Sequence, residues 1–309
     1  MASSAGSSLR VHTWRGAAAV TLQAGDVEAT FIPELGMLGG SLRHRGEERL
    51  ALPGGLARYR QGHTLGLPLL SPWANRLSSR CFRVAGVDVD LRDADLHADE
   101  NGLPIHGTMT AQRGWQTVTL EAGRRTARMV TTFVYDRPEL LAAFPFPHRL
   151  TIDASVNSRG LRVATTLSPA ANAVVPVSFG FHPYFRLPPP RASWRLRMPA
   201  SHRLELDGRG IPTGASQPWP GGNEPIGDRV FDDLFALGPD RRFRLESRGR
   251  RIEVELGGDY PYSQLYAPPG KPFACIEAMT APTDGLVTGV CPLVEPGGSF
   301  TAVFTIRLA

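Results

Sequence analysis

A chain of 309 residues that is 42% hydrophobic can bury one large core, and its 33 glycines and 27 prolines interrupt it too often for a helical protein. The formal charge of +5 is carried almost wholly by arginine, with Lys271 the only lysine, and the arginines are scattered or alternate with apolar residues, as in Arg195-Leu196-Arg197. That pattern is a solvated strand face and argues against nucleic acid as a partner.

The first nine residues, 1–9, are small and polar and read as a flexible tail without the apolar core of a secretory leader. Alternation of apolar and polar residues then begins at 18–23 and continues through 27–33 and 36–45. Segments 81–85 and 87–92 flank Gly86 as a compact hairpin, and 115–120 and 128–135 flank an Ala122-Gly123 turn. Proline at a helix start allows about two helical turns over 138–144. Segments 148–156 and 161–168 are joined by Asn157-Ser158-Arg159-Gly160, a run of turn formers. Further strands are expected at 242–246 and 252–256 around Gly249, and at 299–308. With no internal repeat and no low-complexity linker, these elements predict an all-β fold, a large antiparallel β-sandwich, in one domain over 1–309.

Three cysteines, Cys81, Cys275 and Cys291, are too few for a disulfide framework and have no metal-ligand spacing, so a reducing, cytoplasmic setting and a metal-free protein are expected. No apolar run reaches 18 residues, and no membrane span is expected. The phosphate-binding glycine loop, the dinucleotide fingerprint and the G-x-S-x-G elbow are absent from the sequence, and no cofactor is expected.

Five segments break the alternation. Residues 66–77 hold Trp73, Asn75 and Arg76 beside two prolines; a rigid loop of this kind fits a core tryptophan, and equally two side chains held for a polar ligand. His106 precedes Gly107 in a loop. His182 lies within S-F-G-F-H-P-Y-F, between Phe181 and Pro183. Asp232 and Asp233 stand between Phe231 and Phe235, as a turn or as a polar contact. Glu277 lies within F-A-C-I-E-A-M-T, and a carboxylate in so apolar a run is either functional or on a solvent-facing strand position. A histidine and a glutamate in hydrophobic settings suit acid/base work on a neutral substrate.

In this order the five segments resemble the aldose 1-epimerases, or galactose mutarotases: N-R at Asn75-Arg76, H-G at His106-Gly107, F-H-P-Y-F at 181–185, D-x-x-F at Asp232 to Phe235, and I-E-x-M-T at 276–280. The resemblance spans roughly 66–286. It implies a galactose mutarotase-like supersandwich with a sugar-binding cleft on one sheet. It also implies His182 as general acid and Glu277 as general base, with Arg76, His106 and Asp232 on sugar hydroxyls. After Gly107 the chain reads Thr108-Met109-Thr110, where the family usually carries a second glycine or an aromatic-rich stretch.

The implied reaction interconverts the α and β anomers of a free aldose, a small-molecule sugar, in a monomer or homodimer. The tips of His182 and Glu277 are expected on the order of 5–8 Å apart, each within reach of its own sugar oxygen. Trp73, Phe179 and Phe235 are candidates for stacking on the sugar. The alternatives are a hexose-6-phosphate 1-epimerase and a non-catalytic carbohydrate-binding protein on the same fold. A two-carboxylate glycosidase is disfavoured by the histidine–glutamate set.

Overall fold

The computed structural model describes residues 6–309. The fold is all-β, built on two large antiparallel sheets with a smaller five-stranded sheet formed by the N-terminal strands Ser7–Trp14 to Glu47–Glu48. Residues 7–9, expected to be tail, are the start of that first strand and pair with Leu22–Ala24. The rest of the expected tail, 1–5, lies outside the described residues.

The nine-stranded sheet contains the long hairpins foreseen from alternation. Strand Thr126–Tyr135 is buried at every second residue, and so is His148–Asn157. The expected helix over 138–144 is a single turn, Pro138–Leu141. The second large sheet holds the strands Phe231–Leu237, Tyr262–Ala267 and Ala274–Met279, with the short strands Gly180–Phe181, Tyr184–Phe185 and Leu69–Leu70 alongside. One apolar core takes residues from both sheets: Phe243, Val254 and Phe304 from the first, Phe181, Leu265 and Ile276 from the second. Among the described residues no helix is long and apolar enough to cross a membrane.

Strand Ala274–Met279 differs from the others in being buried at all six positions. Its pleat sends Ala274, Ile276 and Ala278 into the main core and Cys275, Glu277 and Met279 to the opposite face, which other chain segments cover. A continuous apolar run with one carboxylate is the sequence of a strand enclosed on both faces, and the carboxylate marks the face that carries a cavity.

Candidate active site

Glu277 has a polar residue opposite it on each side. Across one edge of its strand, Phe181 pairs with Ala278 and Tyr184 with Cys275, which puts His182 opposite Glu277 in the same register. Pro183 has no N–H to give the ladder, and pairing is interrupted at these two positions. Across the other edge, Gln264 pairs directly with Glu277. Asp232 lies one strand further out, opposite Tyr266, and accepts a hydrogen bond from Gln264 Nε2 at 2.6 Å. The acidic pair Asp232-Asp233 therefore sits within strand Phe231–Leu237 rather than in a turn.

The remaining wall comes from two loops that run side by side. The N–H of His106 donates to the Asn75 carbonyl at 2.9 Å, that of Leu77 to the Pro104 carbonyl at 3.0 Å, and that of Thr108 to the Ser71 carbonyl at 2.8 Å. Asn75 and His106 adopt left-handed backbone conformations, φ 60° and 66°. Asparagine and histidine are among the non-glycine residues that most often do so. Arg76 is fixed by Asp99, whose Oδ2 accepts from Nε at 2.6 Å, and by Asn75 Oδ1, which accepts from Nη1 at 3.1 Å. Asp284 locks the same loop from behind: its N–H donates to the Arg76 carbonyl, and its carboxylate accepts from the Ser78 N–H and hydroxyl.

All six residues singled out in the sequence, Asn75, Arg76, His106, His182, Asp232 and Glu277, line one cavity of about 480 Å³. Volume and lining suit a small polar ligand. His182 Nε2 stands 3.2 Å from Glu277 Oε1, closer than the expected 5–8 Å, because the two side chains meet across one register instead of facing each other over an open cleft. The stacking candidates are a correction. Trp73, Phe179 and Phe235 are fully buried, each at most 1% exposed, and belong to the main core. The aromatic wall is formed by Tyr184, Tyr266 and Phe273. Tyr184 stacks on the His182 ring at 4.5 Å and 8°, and the His106 ring meets His182 edge-on at 5.4 Å.

Burial governs the electrostatics. It pushes the His182 imidazole well below its usual range and the Glu277 carboxyl well above, the latter helped by the nearby Asp232 charge and opposed by Arg76. His106 is held well below the ordinary histidine value by burial, then by His182 and Arg76. For Asp99, burial acts upward but is outweighed by the Arg76 hydrogen bond together with the N–H groups of Leu103 and Asn101, so its carboxyl stays below the usual range. Burial thus favours a neutral His106 and, for His182 and Glu277 together, a single proton that leaves both uncharged, beside the Arg76–Asp99 ion pair. Four buried polar atoms at the cavity, His106 Nδ1, His182 Nδ1, Gln264 Oε1 and Glu277 Oε2, have no hydrogen-bond partner among the described residues. Such capacity is matched by a hydroxyl-rich ligand.

Asp99, Gln264 and the aromatic wall were not singled out from sequence. Tyr184 was within reach, since it belongs to the F-H-P-Y-F segment. Gln264 depends on strand register and Asp99 on a tertiary contact 23 positions away from Arg76, so neither has a local signal.

The aldose 1-epimerase family model matches residues 19–306. The fold is similar to that of a galactose mutarotase-like protein from Clostridium acetobutylicum (TM-score 0.87, 20% identity, 98% of this chain and 99% of that one). It is also similar to a putative aldose 1-epimerase from Escherichia coli K12 (0.75, 18%, 98% and 99%) and to galactose 1-epimerase from Lactobacillus acidophilus NCFM (0.79, 14%, 98% and 98%). In sequence it is 30% identical over 166 residues to the uncharacterized protein YihR of Escherichia coli K12, a match that spans 53% of this chain and about half, 49%, of that relative. With a family model covering nearly its full length and all five expected segments gathered at one cavity, this chain belongs to the aldose 1-epimerase family.

Proposed function

We propose that the protein is an aldose 1-epimerase that interconverts the α and β anomers of a sugar with a free C1 hydroxyl. The observation that carries this reading is the 3.2 Å approach of His182 Nε2 to Glu277 Oε1 in the wall of a polar cavity. In a hemiacetal the ring oxygen and the C1 hydroxyl oxygen hang from one carbon, only a couple of ångströms apart. Two tips this close can each face one of those oxygens.

Glu277 as carboxylate takes the proton of the C1 hydroxyl, and His182 as imidazolium gives its proton to the ring oxygen. The bond from C1 to the ring oxygen breaks as the C1 carbonyl forms. Rotation about C1–C2 presents the other face, and the two transfers reverse on closure. Ring opening leaves a neutral acid beside a neutral imidazole. Those are the forms burial favours, so the cost of charging the pair beside the closed sugar is returned as the ring opens. Acid and base each contribute on the order of 100- to 10,000-fold. Arg76, with its guanidinium already oriented by Asp99, and the neutral His106 would donate to sugar hydroxyls, while Asp232, held by Gln264, would accept from one.

Polarimetry of freshly dissolved α-glucose and α-galactose tests the reading. Equilibration accelerated in proportion to enzyme concentration is the expected result. Rates equal to the buffer blank for these and for acidic hexoses would overturn it.

A further inference from the structure

The cavity wall contains two arginines in different states. Arg76 is committed to Asp99 and Asn75. Arg58, on the short helix Gly55–Arg60, has no carboxylate partner among the described residues. Its Nη2 instead lies 3.1 Å from Nε2 and 3.3 Å from Nδ1 of His63. The His63 ring in turn meets His97 edge-on, with centroids 5.5 Å apart. Neither histidine has a carboxylate partner among the described residues. The wall's own carboxylates are otherwise engaged: Asp99 with Arg76, Asp232 with Gln264, and the exposed Glu100 turned toward Arg76 at 3.8 Å.

A guanidinium against one imidazole that meets a second, at a cavity wall and with no carboxylate against any of the three among the described residues, is a donor-rich cluster that an oxyanion would match. The crowding is built in. Gly62 turns there with φ +93°, and a Cβ on it would stand 3.2 Å from His97 Nδ1. The group is also tied to the reacting centre from two directions. Thr64, next to His63, shares a 2.7 Å hydrogen bond with the hydroxyl of Tyr184, which stacks on His182. The His97 carbonyl accepts from the N–H of Ile105, next to His106.

We propose that Arg58, His63 and His97 form an oxyanion subsite for a phosphate or carboxylate borne by the sugar, so that the preferred aldose is acidic rather than neutral. This rests on the epimerase reading and narrows its substrate class. Arginine supplies a planar fork of donors, and each imidazole can add an N–H donor to the same oxyanion. Scattered surface arginine does not do this. Here one unpaired guanidinium and two imidazoles converge on the wall that holds the acid/base pair.

The test compares glucose 6-phosphate, glucuronate and glucose, by calorimetric binding and by NMR of anomer exchange, in the wild type, in Arg58→Gln, and in the double variant His63→Gln/His97→Gln. Arg58 is exposed, so R58Q is expected to fold. One acidic sugar should bind at least tenfold more tightly than glucose, and R58Q should reduce the acidic-to-neutral ratio by tenfold or more. The two acidic sugars separate phosphate from carboxylate recognition. Glucose bound and turned over as well as either acidic sugar would overturn the subsite and leave the epimerase reading standing, as would a preference that survives both variants. Tight, Arg58-dependent binding of an acidic sugar with no acceleration of exchange would do the reverse.

Discussion

Arg76 Nε donates to Asp99 Oδ2 at 2.6 Å, and the carboxylate is only 2% exposed, so this guanidinium is held from behind before any ligand arrives. Removing one partner of such an enclosed pair leaves the guanidinium with only the exposed Glu100, 3.8 Å away, and costs about 3 kcal/mol. Asp99→Asn is expected to lower the urea midpoint correspondingly and to raise KM about tenfold, with a smaller effect on kcat. Asp99 touches Arg76 rather than the reacting atoms, which makes it a positioning residue. An unchanged KM in a destabilised variant would reduce its role to folding.

Glu277→Gln retains the shape and the register opposite His182 and Gln264 but removes the base. Anomer exchange should fall by roughly 100- to 10,000-fold while sugar binding stays within about tenfold. Near-wild-type rates in polarimetry would remove Glu277 from the chemistry.

The pH profile follows from the shared proton. The working pair carries one proton. Adding a second means charging the His182 imidazole in a buried setting that pushes its pKa down, so the acid limb of kcat/KM should lie below the ordinary histidine value of 6.5. Removing the last proton leaves a buried carboxylate facing the Asp232 charge, so the alkaline limb should lie well above the ordinary carboxylate value of 4.5. The profile is a bell whose two limbs belong to the pair and not to either residue. An acid limb at or above 6.5 contradicts the assigned burial of His182.

Chelation offers an independent check. Both proton transfers have a side chain as donor or acceptor, so dialysis against a strong chelator should leave kcat unchanged. Activity lost on chelation and restored by one divalent ion would require a different mechanism.

Sequence patterning carried most of the fold because half-buried strands such as Thr126–Tyr135 keep a strict period of two. It failed at the aromatics. Trp73, Phe179 and Phe235 lie in or beside the motifs, yet Phe235 alternates into the core from its strand and Trp73 and Phe179 pack there from segments between strands, while Tyr266 and Phe273 reach the cavity from the hairpin that carries Glu277. Which aromatic faces a ligand is decided by the parity of its position relative to a strand whose register is itself a tertiary fact. Gln264 shows the same limit. It is an ordinary polar residue in an ordinary strand until that strand pairs with Ala274–Met279.

Arg191 tests how the far wall of the cavity is held. Its guanidinium donates to five carbonyls, those of Gly227, Arg229, Ala267, Lys271 and Phe273, at 2.8–3.3 Å. These carbonyls flank two site elements: the start of the strand bearing Asp232, and the turn of the hairpin that carries Tyr266, Phe273 and Glu277. Arg191→Ala strands all five acceptors at once. With about 1.5–3 kcal/mol for a hydrogen bond to a charged group, and with the bonds overlapping and partly replaced by water, a loss of roughly 2–4 kcal/mol is expected. KM should rise more than kcat falls, because Phe273 and Asp232 shift while the His182–Glu277 register remains. Arg191→Lys should rescue little, since a single ammonium cannot span five acceptors that a planar fork reaches together. An Arg191→Ala protein with the wild-type unfolding midpoint and wild-type KM would show that the strands hold this wall without the clamp.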